Sequence, residues 1–366
     1  MSFFESFIPS YIVRGAAFYV LILLFLTVFL TLFILIFHKT HIEYRERKKN
    51  RLMSKYSQHL KKYMLRITKD IKKPKTKLGA EVLSLMCIDL LESVDEFDET
   101  RLKDFIKNSS LVSHYKKMAK SSSLSKRFHA IKKLGFFRLD ELKDYFGEFL
   151  LDEDTIEGKG SAVWALSMIA DKDALDWITR TLSSEITLSS KFNEYVYSNV
   201  VQSFKRNSKS AKFLAFLEDL KTNEEVPVLL KRDIIQACGS SHFHEASRVI
   251  LDLSLLYDEN PEIKIATMRA LGRLKCPEFC GIVTTAFFHE DWRVRVAASQ
   301  AATMCETGAI SHLRNLLYDD FYYVRINAAK ALSELGEQGI ALLRKEINSE
   351  DPFVRDTVQF MLKEKA

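Results

Sequence analysis

A short phrase recurs four times near the C-terminus, at intervals of 30 or 31 residues. It pairs a β-branched residue with a basic one and opens an Ala- and Leu-rich helical pattern. The four copies are Ile263-Lys264, Val294-Arg295, Val324-Arg325 and Val354-Arg355. A fixed period in the range of roughly 20 to 50 residues is typical of solenoids, in which each repeat buries its apolar face against the next. Solenoids build long binding surfaces, so the phrase predicts an interaction protein.

A column of small residues extends the repeat toward the N-terminus. An Ala lies seven positions after the β-branched residue of the first three phrases, and the same alignment reaches back to residue 130. The column comprises Ala130, Ala165, Ser203, Ala237, Ala270, Ala301 and Ala331. Small side chains at a fixed point let two helices approach closely. Together with the low counts of Gly (12) and Pro (6), the column predicts an all-α solenoid of about seven helix pairs.

The helix starts are marked by capping residues. Asn260, Asp291 and Asp351 stand at predicted N-caps, with Asp320 one residue earlier than the register requires. The repeated basic residues, Lys264, Arg295, Arg325 and Arg355, would lie in register along the array, where they could form a ladder of cations that binds an anion.

These segments resemble HEAT and HEAT-like repeats, in particular the short bacterial form. The resemblance is carried by NPEIKIATMRALGRL, DWRVRVAASQAATM, DDFYYVRINAAKALSELG and EDPFVRD. It covers roughly residues 120 to 366, strongly after 226, although the period near 30 is shorter than that of longer HEAT repeats. The resemblance implies antiparallel helix pairs stacked into a right-handed superhelix with a concave face. It also implies that the basic residue of each phrase pairs with a capping Asp of its own or the adjacent repeat, which would tighten the stacking and favours a structural role over anion binding.

The N-terminal region carries a long apolar segment. Residues 15–37 include no charged residue and would span about 34 Å as a helix, enough to cross a bilayer with a little tilt. A cleavable signal peptide would have a shorter apolar region followed by small residues, whereas His38 and Lys39 follow here. The segment therefore predicts a transmembrane helix.

The charges around this segment predict its orientation. Residues 1–14 hold one Glu and one Arg, whereas residues 38–77 hold fifteen Lys or Arg and three Asp or Glu. The positive-inside rule places the N-terminus outside and the remainder in the cytoplasm. Because residues 38–77 carry +12 and the whole chain +6, residues 78–366 carry −6, which disfavours nucleic acid as a partner.

The basic segment 38–77 is predicted to continue as an amphipathic helix as far as Pro74. Its apolar face comprises Leu52, Tyr56, Leu60, Tyr63 and Ile67. Lipid, a twin subunit and the start of the repeats are open alternatives for the neighbour of this face. We expect the segment to lie along the inner leaflet, with anionic headgroups as partners. The headgroup-binding candidates are Arg45, Arg47, Lys48, Lys49 and Arg51.

The rest of the chain divides into two predicted parts. Residues 78–120 contain two apolar helical stretches, 78–94 and 102–115, which we interpret as a helical cap. Residues 121–366 form the HEAT-like repeat domain.

Bulky aromatic residues stand between the caps and the basic positions of the last repeats. Polar residues or Pro would serve at these helix starts, whereas Trp, Tyr and Arg carry much of the binding energy at protein interfaces. The candidate partner-binding residues are Trp292, Arg293, Phe321, Tyr322 and Phe353. Packing against the next repeat is the alternative use of these rings.

No catalytic, metal-binding or cofactor-binding set is predicted. The nine His are scattered, and His242 with His244 would alone make a weak metal site. Cys276 and Cys280 lack a second pair at a zinc-like spacing. The five cysteines are odd in number, and we expect them to be reduced and buried in a cytosolic domain.

These observations predict a non-enzymatic, membrane-anchored cytoplasmic scaffold that binds a protein partner, itself membrane-associated. The resemblance to the short bacterial form of HEAT-like repeats favours an inner-membrane complex for envelope assembly or polysaccharide export. A regulatory subunit that senses a small molecule or a signalling domain is the alternative. HEAT-like bilin lyases and alkylpurine DNA glycosylases are enzymes of the resembling families, but they are soluble, and the acidic repeats do not suit DNA.

Overall fold

The protein is described by a computed structural model that covers residues 10–93, 98–184 and 188–365. Over these residues the secondary structure is helical, with short turns and no strand, which confirms the all-α prediction. The chain divides into two units, Met1–His114 and Tyr115–Ala366. The α-helices are α1 (Ser10–Met64), α2 (Lys77–Glu92), α3 (Glu99–Asn108), α4 (Leu111–Ala119), α5 (Leu124–Phe136), α6 (Lys143–Asp152), α7 (Ile156–Ser167), α8 (Lys172–Ser184), α9 (Ser190–Arg206), α10 (Ser210–Thr222), α11 (Val228–Ser240), α12 (Ser247–Leu256), α13 (Pro261–Leu274), α14 (Cys280–Ala286), α15 (Trp292–Ala301), α16 (Ile310–Leu316), α17 (Tyr322–Glu334), α18 (Gly336–Glu346) and α19 (Pro352–Lys365).

Helix α1 dominates the first unit. It runs for 55 residues without interruption, about 82 Å, so it contains the predicted span 15–37 and much of the basic segment. It ends at Met64, so the prediction that it continues to Pro74 was wrong. Arg66 adopts a positive φ of 62° directly after the helix, and the chain is non-helical from there to the start of α2. Residues 1–9 of the predicted N-terminal segment 1–14 lie outside the described residues.

The apolar face at the end of α1 packs within the first unit. Tyr56, Leu60 and Tyr63 are buried, and the Tyr63 ring lies edge-on to Phe105 of α3 at 5.1 Å. The Arg101 guanidinium covers the same Tyr63 ring at 4.4 Å. The face therefore packs against the predicted helical cap, which precedes the repeats and was not among the three neighbours considered. Ile67, predicted on the same face, is exposed because α1 has already ended.

The predicted helical cap contains three helices where two were expected. The second stretch, 102–115, is divided between α3 and α4 at Ser110, which has a φ of 65°. The boundary between the two units falls within α4.

The second unit is a solenoid of paired helices. The odd-numbered helices from α5 to α19, here called A helices, contact one another in series, and the even-numbered B helices lie between them in the chain. Seven A–B pairs result, from α5 with α6 to α17 with α18, followed by the A helix α19. The predicted α-solenoid of about seven pairs is confirmed.

The small-residue column lies where consecutive A helices approach most tightly. All seven members are buried, one on each A helix from α5 to α17. A Cβ built on Gly239 would lie 2.6 Å from the Ala270 Cα, and one built on Gly272 would lie 3.0 Å from the Ala301 Cα. Each Gly therefore faces a column residue of the next A helix, and the pair sets how closely the two backbones approach.

Three of the four predicted caps are formed. The side chains of Asn260, Asp291 and Asp351 accept hydrogen bonds from backbone N–H groups of the first helical turn. Asp320 does not cap α17, because the N-cap position is Phe321 and the Phe321 N–H donates to Asp319 instead.

The cysteines differ from the prediction in one respect. Cys87, Cys238 and Cys276 are free and buried, as expected. Cys280 at the start of α14 and Cys305 form a disulfide, with Cα atoms 5.3 Å apart. The two residues are 25 positions apart in sequence, and the chain brings them together only when α14 folds against the segment 302–309.

Candidate functional site

The turns that lead from B helices to A helices share one geometry in the last three repeats. The side chain of the repeated Arg reaches back to two carbonyl groups five and six residues earlier. Arg295 donates to the His289 and Glu290 carbonyls at 2.8 and 3.0 Å. The other two repeats show the same bonds, from Arg325 to residues 319 and 320 and from Arg355 to residues 349 and 350. These bonds fix the path of each turn before the next helix begins.

The structural role predicted for the basic ladder is therefore confirmed, but its expected partners were wrong. None of these three Arg side chains pairs with the carboxylates at 291, 320 or 351. Arg295 forms a two-pronged ion pair with Asp319 of the next repeat, at 2.7 and 2.9 Å. Carbonyl oxygens are always present in a turn, so they serve as acceptors even where the side chains change.

The predicted aromatic residues come together at these turns. The Trp292 ring stacks on Phe321 of the next repeat at 5.6 Å and on Tyr323 at 5.8 Å, with interplanar angles of 12° and 22°. Tyr322 meets Tyr323 edge-on at 5.7 Å. Rings from two repeats thus form one cluster.

Phe353 extends the cluster into the following repeat. The Arg325 guanidinium lies 6.0 Å from the centre of the Tyr322 ring and 5.1 Å from that of Phe353. The buried Arg325 guanidinium therefore links the Tyr322 ring to the Phe353 ring of the following repeat. We call Trp292, Phe321, Tyr322, Tyr323 and Phe353 the aromatic edge.

The aromatic edge is accessible to solvent. Phe321, Tyr322, Tyr323 and Phe353 keep 44%, 54%, 60% and 63% of their surface exposed, and Trp292 is half-buried. The rings thus pack against one another between repeats, as one interpretation expected. They also leave a continuous apolar surface open, which the fold alone does not require.

Arg293, the remaining predicted site residue, is held in place by two carboxylates. It pairs with Asp291 at 2.7 Å and with Glu262 of the preceding repeat at 2.9 Å. The hydrogen bonds from Arg293 hold the pKa of the Asp291 carboxyl below its usual range. Arg293 lies beside the aromatic edge, but its charge is already paired.

Two further exposed rings at these turns were missed from the sequence. Phe288 and Tyr318 are 69% and 45% exposed, and each lies six residues before the repeated Val. Tyr318 donates to Glu346 at 2.6 Å. The alignment that located the small column would have located both rings, had it been extended backward from the phrase.

The headgroup-binding candidates Arg45, Arg47, Lys48 and Arg51 have exposed side chains on α1, and Lys49 is half-buried. One helix in the described part of the chain, Leu23–Met64, is long and apolar enough to cross a membrane by length and composition. The mean hydropathy of its most apolar window is 2.1, and none of that window is buried.

A cavity of about 790 Å³ opens between α8 and α10. Its lining includes apolar rings such as Phe204 and Phe216 and charges of both signs, such as Arg180 and Asp219. Burial raises the pKa of the Asp176 carboxyl in its wall. Within the described ranges, no group of three or more His, Cys, Asp or Glu is arranged to hold a metal ion.

No protein-family model matches the sequence, and a search of curated proteins finds no relative. Among solved structures, an engineered protein aligns with 17% identity over 77% of this chain and 84% of its own, with a TM-score of 0.36. YibA of E. coli aligns with 15% identity over 74% of this chain and 99% of its own, with a TM-score of 0.41. Kap121p aligns with 10% identity over 78% of this chain and 41% of its own, with a TM-score of 0.35. At these TM-scores the matches carry no functional information. The geometry of its second unit makes the chain a helical repeat protein.

Proposed function

We propose that the protein is a non-enzymatic, HEAT-like scaffold, anchored in a membrane by α1, which binds a protein partner along the aromatic edge. The stacking or linking of five rings across three repeats, with four of the rings exposed, is the observation that carries the proposal. Exposed rings cost about 25 cal/mol for each Å² of apolar surface left in water, which a partner surface would recover. Aromatic clusters of this kind are where binding energy concentrates at interfaces.

The surface of α1 supports the membrane anchor. The large apolar side chains from Leu23 to Phe37 keep about half or more of their surface exposed, and none of the described residues of the first unit covers them. In water such a surface is strongly unfavourable, whereas in the hydrocarbon core it is not. The helix continues unbroken past residue 37 and packs its end against α3, which favours a retained anchor over a cleaved signal peptide.

The continuous helix changes the proposed contact with lipid. With 1.5 Å of rise for each residue, Arg45 lies about 12 Å beyond Phe37 along the helix axis, and Arg51 about 21 Å. Headgroup charges act over a Debye length of about 8 Å. We therefore restrict the proposed headgroup contacts to Arg45 and Arg47, whose long side chains reach back toward the surface. A basic segment that lies flat along the leaflet does not suit an unbroken helix.

The positive-inside rule supports a cytoplasmic repeat domain, and the resemblance to short bacterial repeats favours an inner-membrane complex for envelope assembly or polysaccharide export. Anchoring would raise the local concentration of a membrane partner, so a weak contact at the aromatic edge would suffice.

A small-molecule sensor is the second candidate, and the cavity between α8 and α10 is the observation that favours it.

Site-specific photo-crosslinking in isolated membranes tests the scaffold proposal. A photoreactive amino acid at Tyr322 should give one defined adduct with a membrane protein, and the adduct should disappear when Phe321 and Phe353 are replaced by Ala. Phe360 provides the matched control, because it is 54% exposed on α19, two turns beyond Phe353. Equal adducts from both positions, or none from Tyr322, would rule out the aromatic edge as the binding surface.

A further inference from the structure

We propose that the aromatic edge recognises an extended basic segment of a partner protein, with Lys or Arg at every third position. This inference rests on the proposed function, because it specifies the chemistry of the partner bound at that edge.

A row of free carboxylates runs beside the rings. Four residues before each repeated apolar residue stands an acidic side chain, and all four are exposed. They are Glu259, Glu290, Asp320 and Glu350, here called the carboxylate row. Within the described part of the chain, their carboxylates form no ion pair or hydrogen bond, whereas the neighbouring Asp258, Asp291 and Asp319 are paired with Lys or Arg. The row therefore has its full charge available for a ligand.

The backbone beneath the row is fixed in three of the four repeats. Glu290, Asp320 and Glu350 each accept, through the carbonyl oxygen, a hydrogen bond from the Arg five residues later. Their side chains consequently leave the turn from equivalent positions. The row is thus a regular array whose spacing is that of the repeats.

The net charge at this edge is negative. The turns and first helical positions at 257–264, 287–295, 317–325 and 347–355 contain nine Asp or Glu and five Lys or Arg. The five cations all bind groups of the protein: Arg293 pairs with two carboxylates, Lys264 pairs with Asp258, and the three repeated Arg residues bind turn carbonyls. A cationic ligand therefore meets net attraction at the unpaired carboxylate row, whereas an anionic membrane surface would be repelled.

The rings supply a second attraction for cations. Arg295 lies 5.6 Å from the centre of the Phe321 ring, and Arg325 lies 5.1 Å from that of Phe353, so rings of this edge already accept a guanidinium. Phe321 is also stacked on Trp292, whereas Tyr322 and Phe353 keep 54% and 63% of their surface exposed. A ligand cation placed there gains both the cation–π attraction and the nearby carboxylate.

The repeat spacing sets the ligand period. Neighbouring packed helices lie about 8 to 10 Å apart. A polyproline II segment rises about 3.1 Å for each residue and returns to the same face every third residue, or about 9.3 Å. A β-strand returns to the same face after two residues, about 6.6 Å, and would lose register along the row. The spacing therefore fits a polyproline II ligand with a cation at every third residue.

Peptide binding to the full-length protein in nanodiscs of zwitterionic lipid tests the inference. The probe is a twelve-residue peptide of four Lys-Pro-Ser units, and its isomer with all four Lys contiguous is the control peptide. The row variant carries Glu259→Gln, Glu290→Gln, Asp320→Asn and Glu350→Gln. The matched control variant removes four exposed carboxylates elsewhere, with Glu224→Gln, Glu334→Gln, Glu337→Gln and Glu364→Gln.

The periodic peptide should bind the wild type more tightly than the isomer does. Its dissociation constant should rise about tenfold in the row variant, as expected for four exposed ion pairs, and little in the control variant. Equal binding of the two peptides, or equal losses in the two variants, would show only non-specific attraction and overturn the inference. If the wild type forms an oligomer and the row variant does not, the occupant of the aromatic edge is a second copy of the chain, and the inference is wrong. A Tyr322 adduct without peptide binding would leave the proposed function standing and remove only the basic ligand.

Discussion

At the residue scale, the small side chains of the repeat are explained by backbone contact between A helices. The column from Ala130 to Ala331 was readable from the sequence because it recurs at a nearly fixed interval. Its partners were not readable, since Gly239 and Gly272 lie two positions after a column residue and face the next helix. Only the packing of α11, α13 and α15 shows why Gly stands there.

Replacement of Gly239 should separate α11 from α13. The Cβ of Gly239→Ala would lie 2.6 Å from the Ala270 Cα, a backbone atom that cannot move alone, so the stability of the repeats should fall by about 1 to 3 kcal/mol. Gly281→Ala on α14 is the control, because no atom lies within 4 Å and Ala is the better helix former. Chemical denaturation of both variants in micelles measures the difference. Equal effects would show that the close approach is not limiting.

Asp291 should make the repeats sensitive to acid. Arg293 holds the folded-state pKa of Asp291 below its unfolded value of about 3.9, so this stabilisation is present above that pH and is lost as the pH falls through the folded-state pKa. Asp291→Asn keeps a capping side chain but removes the charge. The variant should be less stable than the wild type by up to about 1 kcal/mol at pH 6, since the pair is partly exposed, with the gap closing as the pH falls below the unfolded value. Denaturation midpoints between pH 3 and pH 6 check this, and a gap independent of pH would contradict it.

At the element scale, the turns before the A helices were predictable in position but not in their bonding. The phrase located each helix start, yet the carbonyl acceptors of Arg295 carry no signal in the sequence because every residue has a carbonyl. The end of α1 was missed for a related reason. The helical pattern of apolar residues continues to Ile67, but the backbone turns at Arg66, where packing of Arg101 on Tyr63 closes the helix end.

The ion pair between Arg295 and Asp319 should hold two repeats together. Both side chains are largely buried, with 14% and 9% of their surfaces exposed, so Arg295→Met would leave the Asp319 charge without its main partner. We expect a loss of about 3 kcal/mol, from the cost of breaking a buried pair. Arg293→Met is the control, because that side chain is 45% exposed and its pairs should contribute about 1 kcal/mol or less. Thermal unfolding compares the two, and similar losses would refute the bridging role.

At the scale of the whole molecule, the basic segment and the acidic repeats lie in different parts of the chain. The first unit combines an exposed apolar helix with a basic segment of +12, whereas the repeats carry most of the acidic residues. Composition and the periodic column sufficed to predict a long apolar helix, a basic segment and a series of helical repeats. Each of these predictions depends on many residues that share one simple pattern. The disulfide and the cavity between α8 and α10 each depend on a single long-range packing event, which no periodic pattern records.

The thiol state of Cys280 and Cys305 should report the compartment of the repeats. Cytoplasmic reductants keep such pairs reduced, so the proposed orientation predicts two free thiols when intact cells are treated with a membrane-permeant alkylating reagent and analysed by mass spectrometry. Oxidation of the purified protein should then form the bond and stabilise it by about 3 kcal/mol, since the bond closes a loop of 25 residues. Cys280→Ser should abolish this gain, whereas Cys238→Ser should leave it intact, because Cys238 is a buried free thiol. A disulfide already formed in cells would place the repeats on the oxidising side of the membrane and overturn the orientation inferred from the basic segment.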